Sequence, residues 1–243
     1  QFMRLALTYA KMIDSPIINH AEDIALRNEG VMNAGSNSNN LGLKGNPNSA
    51  EAIMVYRDLL LASQLKSKIH IPHVSTKESV DLIKNFKKGN PFISAEVTPH
   101  HIYFDDSSIN SSNYNTNLKV APPIRSKKDC KAWIEGLKNG TIDCIATDHA
   151  PHLKSEKQTC SCPGFTGLET ALPLLLNAVN EGRLSNRHPA WDKIKFLQTL
   201  LDKDYDYLVW VDNDAILMHQ DYRFDFICSN YSDKNLKIGR AHV

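Results

Sequence analysis

The chain has 243 residues, of which 42% are hydrophobic, and its formal net charge at pH 7 is +1. This composition predicts a globular protein with a sizeable core and excludes a disordered chain. The charges of both signs are interspersed, so we expect neither nucleic acid nor a membrane surface as a partner. We also expect no signal peptide and no membrane span. The five cysteines lack paired spacing, which favours reduced thiols and a cytoplasmic protein.

Short apolar runs typical of β-strands alternate with helical patterns along most of the chain. The chain opens in a helical pattern, and we expect that its true start is missing. The runs cover residues 16–19, 68–71, 92–97 and 142–147. Apolar residues at helical spacing fill 49–64, 76–88 and 126–137, and the last two segments begin with Ser or Thr followed by acidic residues. This alternation predicts a parallel sheet in an α/β fold.

Each of the four runs is followed by a histidine or an aspartate. His20 follows the first run, His73 the second, His100 and His101 the third, and Asp148 the fourth. A single histidine at such a position is more often a hydrogen-bonded structural residue. However, the carboxyl ends of parallel barrel strands share one face, so we predict that these side chains converge on a common centre. That centre would bind a metal ion or move a proton.

Several ordered motifs resemble those of dihydroorotases, which belong to the amidohydrolase superfamily. The motifs occupy residues 19–23, 70–76, 95–101, 122–125, 146–152 and 163–170. The resemblance covers about residues 1–185 and implies the C-terminal half of a (β/α)8 metal-dependent hydrolase barrel, with strands 5–8. It implies reversible hydrolysis of the small molecule dihydroorotate to N-carbamoyl-aspartate, which is a step of pyrimidine biosynthesis.

The resemblance also implies roles for individual residues. The family uses two zinc ions, which activate a water molecule and polarise the ring amide. His20 and His73 match two zinc ligands, and Asp148 matches an aspartate that is both a zinc ligand and the general acid and base. The positions matched to substrate binding are His152, Pro163, Gly164 and Ala121, the last where related enzymes often carry asparagine. The acidic residues Glu22, Asp23 and Glu96 either orient the ligands or form ordinary salt bridges.

Parts of the family pattern are absent from the sequence. It contains no His-x-His pair, and we expect this first-strand motif and the bridging ligand of the fourth strand to lie upstream of Gln1. We therefore expect the isolated chain to be inactive, and its open sheet edges leave room for oligomerisation. Allantoinase and dihydropyrimidinase stay as alternatives, although His152 favours dihydroorotase. A non-enzymatic alternative is a metal-free barrel relic that acts as a binding scaffold.

Residues 186–237 follow a different pattern. A predicted strand at 207–211 ends in Asp212-Asn213-Asp214, and this segment resembles a fragment of a GT-A glycosyltransferase of the galactosyl, mannosyl or xylosyl type. The resemblance implies that Asp212 and Asp214 hold a divalent cation, such as Mn²⁺, on a nucleotide sugar. The simple alternative is an acidic loop after a buried strand. Residues 238–243 match the translation of a common sequencing adapter, so we hypothesise that the chain joins two unrelated coding pieces.

Overall fold

The computed structural model of the chain describes residues 1–112, 114–159 and 162–184. The chain divides into two compact units, Gln1–Ile194 and Lys195–Val243, and every described residue belongs to the first unit. The glycosyltransferase-like segment with Asp212 and Asp214, and the adapter-like residues 238–243, lie outside the described residues. The described fold is therefore that of residues 1–184.

Strands and helices alternate along the described residues. The strands are β1 (Ile17–Ile18), β2 (Met32–Asn33), β3 (Gly45–Asn46), β4 (Ile69–Ile71), β5 (Ile93–Val97) and β6 (Cys144–Ile145). The helices are α1 (Phe2–Met12), α2 (Ile24–Arg27), α3 (Ser36–Leu41), α4 (Asn48–Leu65), α5 (Lys77–Lys87), α6 (Pro99–Tyr103), α7 (Lys127–Lys138), α8 (Lys154–Thr159) and α9 (Gly167–Asn180).

The main sheet has the strand order β1-β4-β5-β6, and all of its pairs are parallel. The predicted parallel α/β sheet is therefore confirmed, and each of its strands falls inside one of the four predicted runs. The run 142–147 forms only a two-residue strand. Its first residue, Ile142, instead donates a backbone hydrogen bond to Gly136 near the end of α7. The small parallel pair of β2 and β3 was not predicted.

The hydrophobic core lies between one face of the sheet and the helices. On β5, Ile93, Ala95 and Val97 are buried against this core, whereas the alternate residues Ser94 and Glu96 are only half-buried. Side chains of α4, α5 and α7 complete the core, including the fully buried Leu59, Ile83, Trp133 and Leu137. Each fully buried aliphatic side chain of this kind contributes about 1.5–3 kcal/mol. The sheet therefore has one apolar face and one polar face.

The three helices predicted within the chain, α4, α5 and α7, begin within one residue of the predicted positions. The Thr76 hydroxyl accepts a hydrogen bond from the Ser79 amide at the start of α5, and Ser126 and Asp129 form a capping box on α7. None of the helices in the described ranges is long and apolar enough to cross a membrane. Cys130 and Cys144 carry thiols, whereas Cys162 is disulfide-bonded. The prediction of reduced thiols is therefore wrong for Cys162.

Candidate metal centre

Two histidines at the ends of β1 and β4 are in direct contact. Nδ1 of His20 lies 3.1 Å from Nε2 of His73, and the ring centroids are 4.8 Å apart. The parallel register of β1 and β4 pairs Ile18 with His70, which brings the two following loops together. Two nitrogen ligands of one tetrahedral zinc ion, each about 2.0–2.1 Å from the metal, are about 3.3 Å apart. The pair therefore has the spacing that two ligands of one zinc ion require.

The environment of His73 favours its neutral form. Burial lowers the pKa of His73. The neighbouring His20 lowers it further, because protonating both imidazoles would place two positive charges side by side. A neutral imidazole nitrogen is the form that binds a metal ion. His73 also has a backbone φ of 36°, which is uncommon for a residue other than glycine.

Asp148 lies within electrostatic reach of the histidine pair. Its carboxylate acts to raise the pKa of His73, against the effect of burial. Asp148 follows β6 and has a φ of 45°, so a turn directly after the strand sets its direction. Two backbone hydrogen bonds fix the chain on either side of Asp148. The Ala146 N–H donates to the Val97 carbonyl at 3.0 Å, and the Ala150 N–H donates to the Phe165 carbonyl at 2.9 Å. The structure thus brings the three residues matched to zinc ligands into one region.

The three acidic residues near the predicted ligands have different partners. Glu22 lies beside His20, with 3.7 Å between Oε2 and Nε2, and this contact lowers the pKa of the Glu22 carboxyl. Asp23 instead caps α2, and its carboxylate accepts the backbone N–H of Leu26 at 2.9 Å. Glu96 pairs with His70. Among these three, Glu22 is therefore the one placed to orient a ligand.

A buried carboxylate holds the loop that carries His73. Glu51, on α4, is 5% exposed and accepts hydrogen bonds from the backbone N–H groups of Ser75 and Thr76, both at 3.1 Å, and from their hydroxyls. Nε of Arg125, which is 1% exposed, donates to the Ser75 hydroxyl at 3.0 Å. Burial lowers the pKa of Arg125, and the charge of Glu51 opposes that effect. This unit was not predicted, because a single acid within a helix gives no local signal.

The residues matched to substrate binding form a second cluster. His152 Nε2 lies 2.9 Å from the Pro163 carbonyl oxygen, and the Gly164 N–H donates to the Lys119 carbonyl at 3.0 Å, two residues before Ala121. Gly164 has a φ of 155°, and a Cβ there would lie 2.7 Å from the His152 ring. Only glycine therefore allows the chain to approach His152 this closely.

A small cleft lies beside the histidine pair. Its lining includes His20, Glu22, His73 and Arg125 together with Pro122, the residue after Ala121. Its volume is about 10 Å³, which is close to the space that one water molecule occupies. The cleft therefore brings Pro122 and the buried Arg125 beside the histidine pair.

The histidines after β5 lie in the core. His100 and His101 are 1% and 0% exposed, because Thr98 caps α6 and this helix turns both rings inward. His101 lies between the Thr98 hydroxyl and the Pro122 carbonyl, and burial lowers its pKa to about 3. Burial also lowers the pKa of His100 well below its usual range. Both rings also lie within electrostatic reach of His73, which acts to lower their pKa values, so the convergence of this strand end on the same centre stays a prediction.

Known proteins are similar to this part of the chain in sequence. Residues 1–79 match the dihydro-orotase-like family. The dihydroorotase of Ruminiclostridium cellulolyticum is 49% identical over 187 residues, which are 75% of this chain and 43% of that protein. This part of the chain is similar to dihydroorotases and is called the dihydroorotase-like part from here on. The dihydroorotase of Caldanaerobacter subterraneus subsp. tengcongensis is 49% identical over 176 residues, 71% of this chain and 40% of that protein. The chain thus spans less than half the length of these relatives.

Several solved structures have a fold similar to that of this part of the chain. The L-hydantoinase (dihydropyrimidinase) of Arthrobacter aurescens has a TM-score of 0.64 and 27% identity, covering 75% of this chain and 42% of that one. The D-hydantoinase of Bacillus sp. AR9 has a TM-score of 0.65 and 21% identity over 75% of this chain and 43% of its own, and it is similar in fold alone. The dihydroorotase-like part therefore has the α/β fold of amidohydrolase barrels.

Proposed function

We propose that the dihydroorotase-like part belongs to a zinc-dependent cyclic amide hydrolase that interconverts dihydroorotate and N-carbamoyl-aspartate. The observation that carries the proposal is the 3.1 Å contact between His20 and His73, two strand-end histidines matched to zinc ligands. The 49% identity to dihydroorotases supports the same substrate. We also propose a cytoplasmic location for this activity.

His20 and His73 would hold the metal, with Asp148 as a further ligand. When bound, zinc lowers the pKa of a water molecule and polarises the amide carbonyl of the substrate. The Asp148 carboxylate accepts a proton from the attacking water and delivers it to the ring nitrogen as the C–N bond breaks. His152 and the backbone at Pro163, Gly164 and Ala121 bind the ring and orient it.

The residues of this chain supply part of the site found in the family. The binuclear zinc site there also uses a His-x-His pair, which the sequence lacks. The region similar to the Ruminiclostridium cellulolyticum protein corresponds to 43% of that protein. We therefore infer that the chain shows no turnover by itself and needs the remaining barrel strands.

A chimera tests the proposal. Residues 1–184 are joined to the preceding part of the Ruminiclostridium cellulolyticum dihydroorotase, and hydrolysis of dihydroorotate, hydantoin and allantoin is measured. Dihydroorotate should be the preferred substrate. Asp148→Asn should lower kcat by about 10²–10⁴-fold, the contribution of a general acid or base. Asp81→Asn, at an exposed residue on α5 paired with Lys77, should leave kcat unchanged.

Two outcomes would contradict the proposal in different ways. Preference for hydantoin would favour the second candidate, a hydantoinase, which the structural likeness to the Arthrobacter aurescens enzyme supports. Full activity of Asp148→Asn would remove the proton-transfer role from that residue. The nucleotide-sugar role of Asp212 and Asp214, with Mn²⁺, stays a prediction from the sequence alone.

A further inference from the structure

Three potential metal ligands meet on the polar face of the sheet. His70 is on β4, Glu96 on β5 and Cys144 on β6, which are adjacent parallel strands. The three ligand atoms are a His nitrogen, a carboxylate oxygen and the Cys sulfur, and they all lie within 4.8 Å of one another. His70 Nε2 and Glu96 Oε2 are 3.0 Å apart. The three side chains together offer the nitrogen, oxygen and sulfur atoms that zinc accepts in proteins.

The register of the sheet fixes this cluster. The ladder pairs His70 with Ser94 and Glu96 with Cys144, and Ser94 and Glu96 stand two residues apart on β5. Because side chains alternate along a strand, all four residues project from the face opposite the buried Ala95. The backbone hydrogen bonds of three strands therefore hold the ligand-bearing positions in place before any metal binds.

A partner on the far side of the imidazole orients His70. Its Nδ1 is 2.8 Å from the Ser94 hydroxyl, which leaves Nε2 directed at Glu96. Metal-binding histidines generally have such a hydrogen bond on their second nitrogen, and it fixes both the tautomer and the ring plane. The side chains of His70 and Glu96 are 16% and 18% exposed, and Cys144 is exposed, so an ion can reach all three.

We propose that Nε2 of His70, a carboxylate oxygen of Glu96 and Sγ of Cys144 bind a zinc-type divalent ion. In a tetrahedral zinc site, ligand atoms about 2.0–2.3 Å from the metal are about 3.3–3.7 Å apart, so small side-chain rotations close the present cluster. Three protein ligands leave a fourth position for solvent or a small ligand. Cobalt takes the same nitrogen and sulfur ligands.

This site shares no ligand with the His20 and His73 pair, although the Glu96 carboxylate lies within electrostatic reach of His73. The pair also has no sulfur ligand, whereas the proposed site has one. The chain has four other cysteines, so a thiolate signal that Cys144→Ser removes is the one that reports on the new site. The proposal stands on contacts that the proposed hydrolase activity does not use.

The test is cobalt titration of the full chain after treatment with a chelator. Cobalt bound at this site should produce thiolate-to-cobalt charge-transfer absorption, whereas cobalt bound by His20 and His73 should not. Cys144→Ser should abolish that absorption, and His70→Gln should weaken binding by at least the roughly 10–100-fold that losing an outer-shell partner costs. Cys130→Ser is the matched control and should keep the signal, since that thiol contacts the carbonyls of His101 and Phe104 instead.

Two results would overturn the proposal. One is absence of thiolate absorption from the wild-type chain, and the other is absorption that survives Cys144→Ser. If circular dichroism shows that Cys144→Ser does not fold, alkylation of the wild-type chain decides the question. Saturating zinc should then protect Cys144 from iodoacetamide in peptide mass spectrometry. Equal labelling with and without zinc would overturn the proposal.

Discussion

Replacing Glu51 should strongly destabilise the fold and loosen the loop that carries His73. The Glu51 carboxylate accepts the backbone N–H groups of both Ser75 and Thr76 at 3.1 Å, as well as their hydroxyls. The Ser75 hydroxyl in turn accepts from Arg125, so the acid and the buried cation share one hydrogen-bonded unit. Glu51→Gln keeps the shape of the side chain, but it places an amide N–H₂ group against donors.

The expected loss follows from burial. Hydrogen bonds to a charged group contribute about 1.5–3 kcal/mol, and a buried donor left without an acceptor costs about 1–3 kcal/mol. Glu51→Gln loses at least one such bond, so we expect a loss of about 2–4 kcal/mol. Glu51→Ala also leaves Arg125 buried without its nearby carboxylate, which raises the expected loss to about 3–5 kcal/mol. Losses of this size are a large fraction of the stability of a typical domain.

Urea denaturation followed by circular dichroism measures the loss. Glu135→Gln is the matched control, because Glu135 lies on the surface of α7 with its side chain 67% exposed. Its unfolding free energy should change by less than about 0.5 kcal/mol. A Glu51→Gln chain within about 0.5 kcal/mol of wild type would refute the reasoning, since surface substitutions produce changes of that size.

Three further predictions concern other parts of the fold. Burial lowers the pKa of His101 to about 3 from an ordinary 6.5, so only the unfolded chain binds this proton between those pH values. Stability should therefore fall by about 1.4 kcal/mol per pH unit as the pH drops through this window, and His101→Gln should show a shallower slope in urea titrations at several pH values. Equal slopes for the wild-type and His101→Gln chains would contradict the low pKa of His101. Burial raises the pKa of Cys130 to about 12, so iodoacetamide at mildly alkaline pH should label the exposed Cys144 first in peptide mass spectrometry. Equal labelling rates would be inconsistent with the buried thiol. Gly164→Ala, whose Cβ would lie 2.4 Å from a carbonyl oxygen, should lower stability by about 1–3 kcal/mol in urea titrations. Gly35→Ala should lower stability much less, because a Cβ there would have its nearest atom at 3.9 Å. Equal losses of stability in the two variants would count against the close contact at Gly164.

Much of the fold could be predicted from local patterns. Apolar runs located all four strands of the main sheet, and Ser or Thr caps located the starts of α5 and α7. These features depend on neighbours in sequence, so a single chain carries their signal. The small β2 and β3 pair and the short α6 were not predicted, because elements of two to five residues contain too few residues to show a period.

The candidate site was predictable from polar residues at strand ends and from motifs that resemble a family. His20 and His73 were named from such motifs, and the structure places them in contact, although metal binding itself stays a proposal. The cluster of His70, Glu96 and Cys144 was not predicted as a site. Recognising it requires the register between three strands, which the sequence does not specify.

His20 and His73 are proposed to bind one metal ion together. Zinc calorimetry of the full chain measures this binding, in a Cys144→Ser background that disables the second proposed site. Zinc should bind, and His20→Ala should weaken its binding by more than about tenfold, the least that losing an outer-shell partner costs. His149→Ala should leave it unchanged, since that imidazole contacts the backbone of Leu168 instead. Equal zinc affinity in the His20→Ala and His149→Ala chains would contradict the claim.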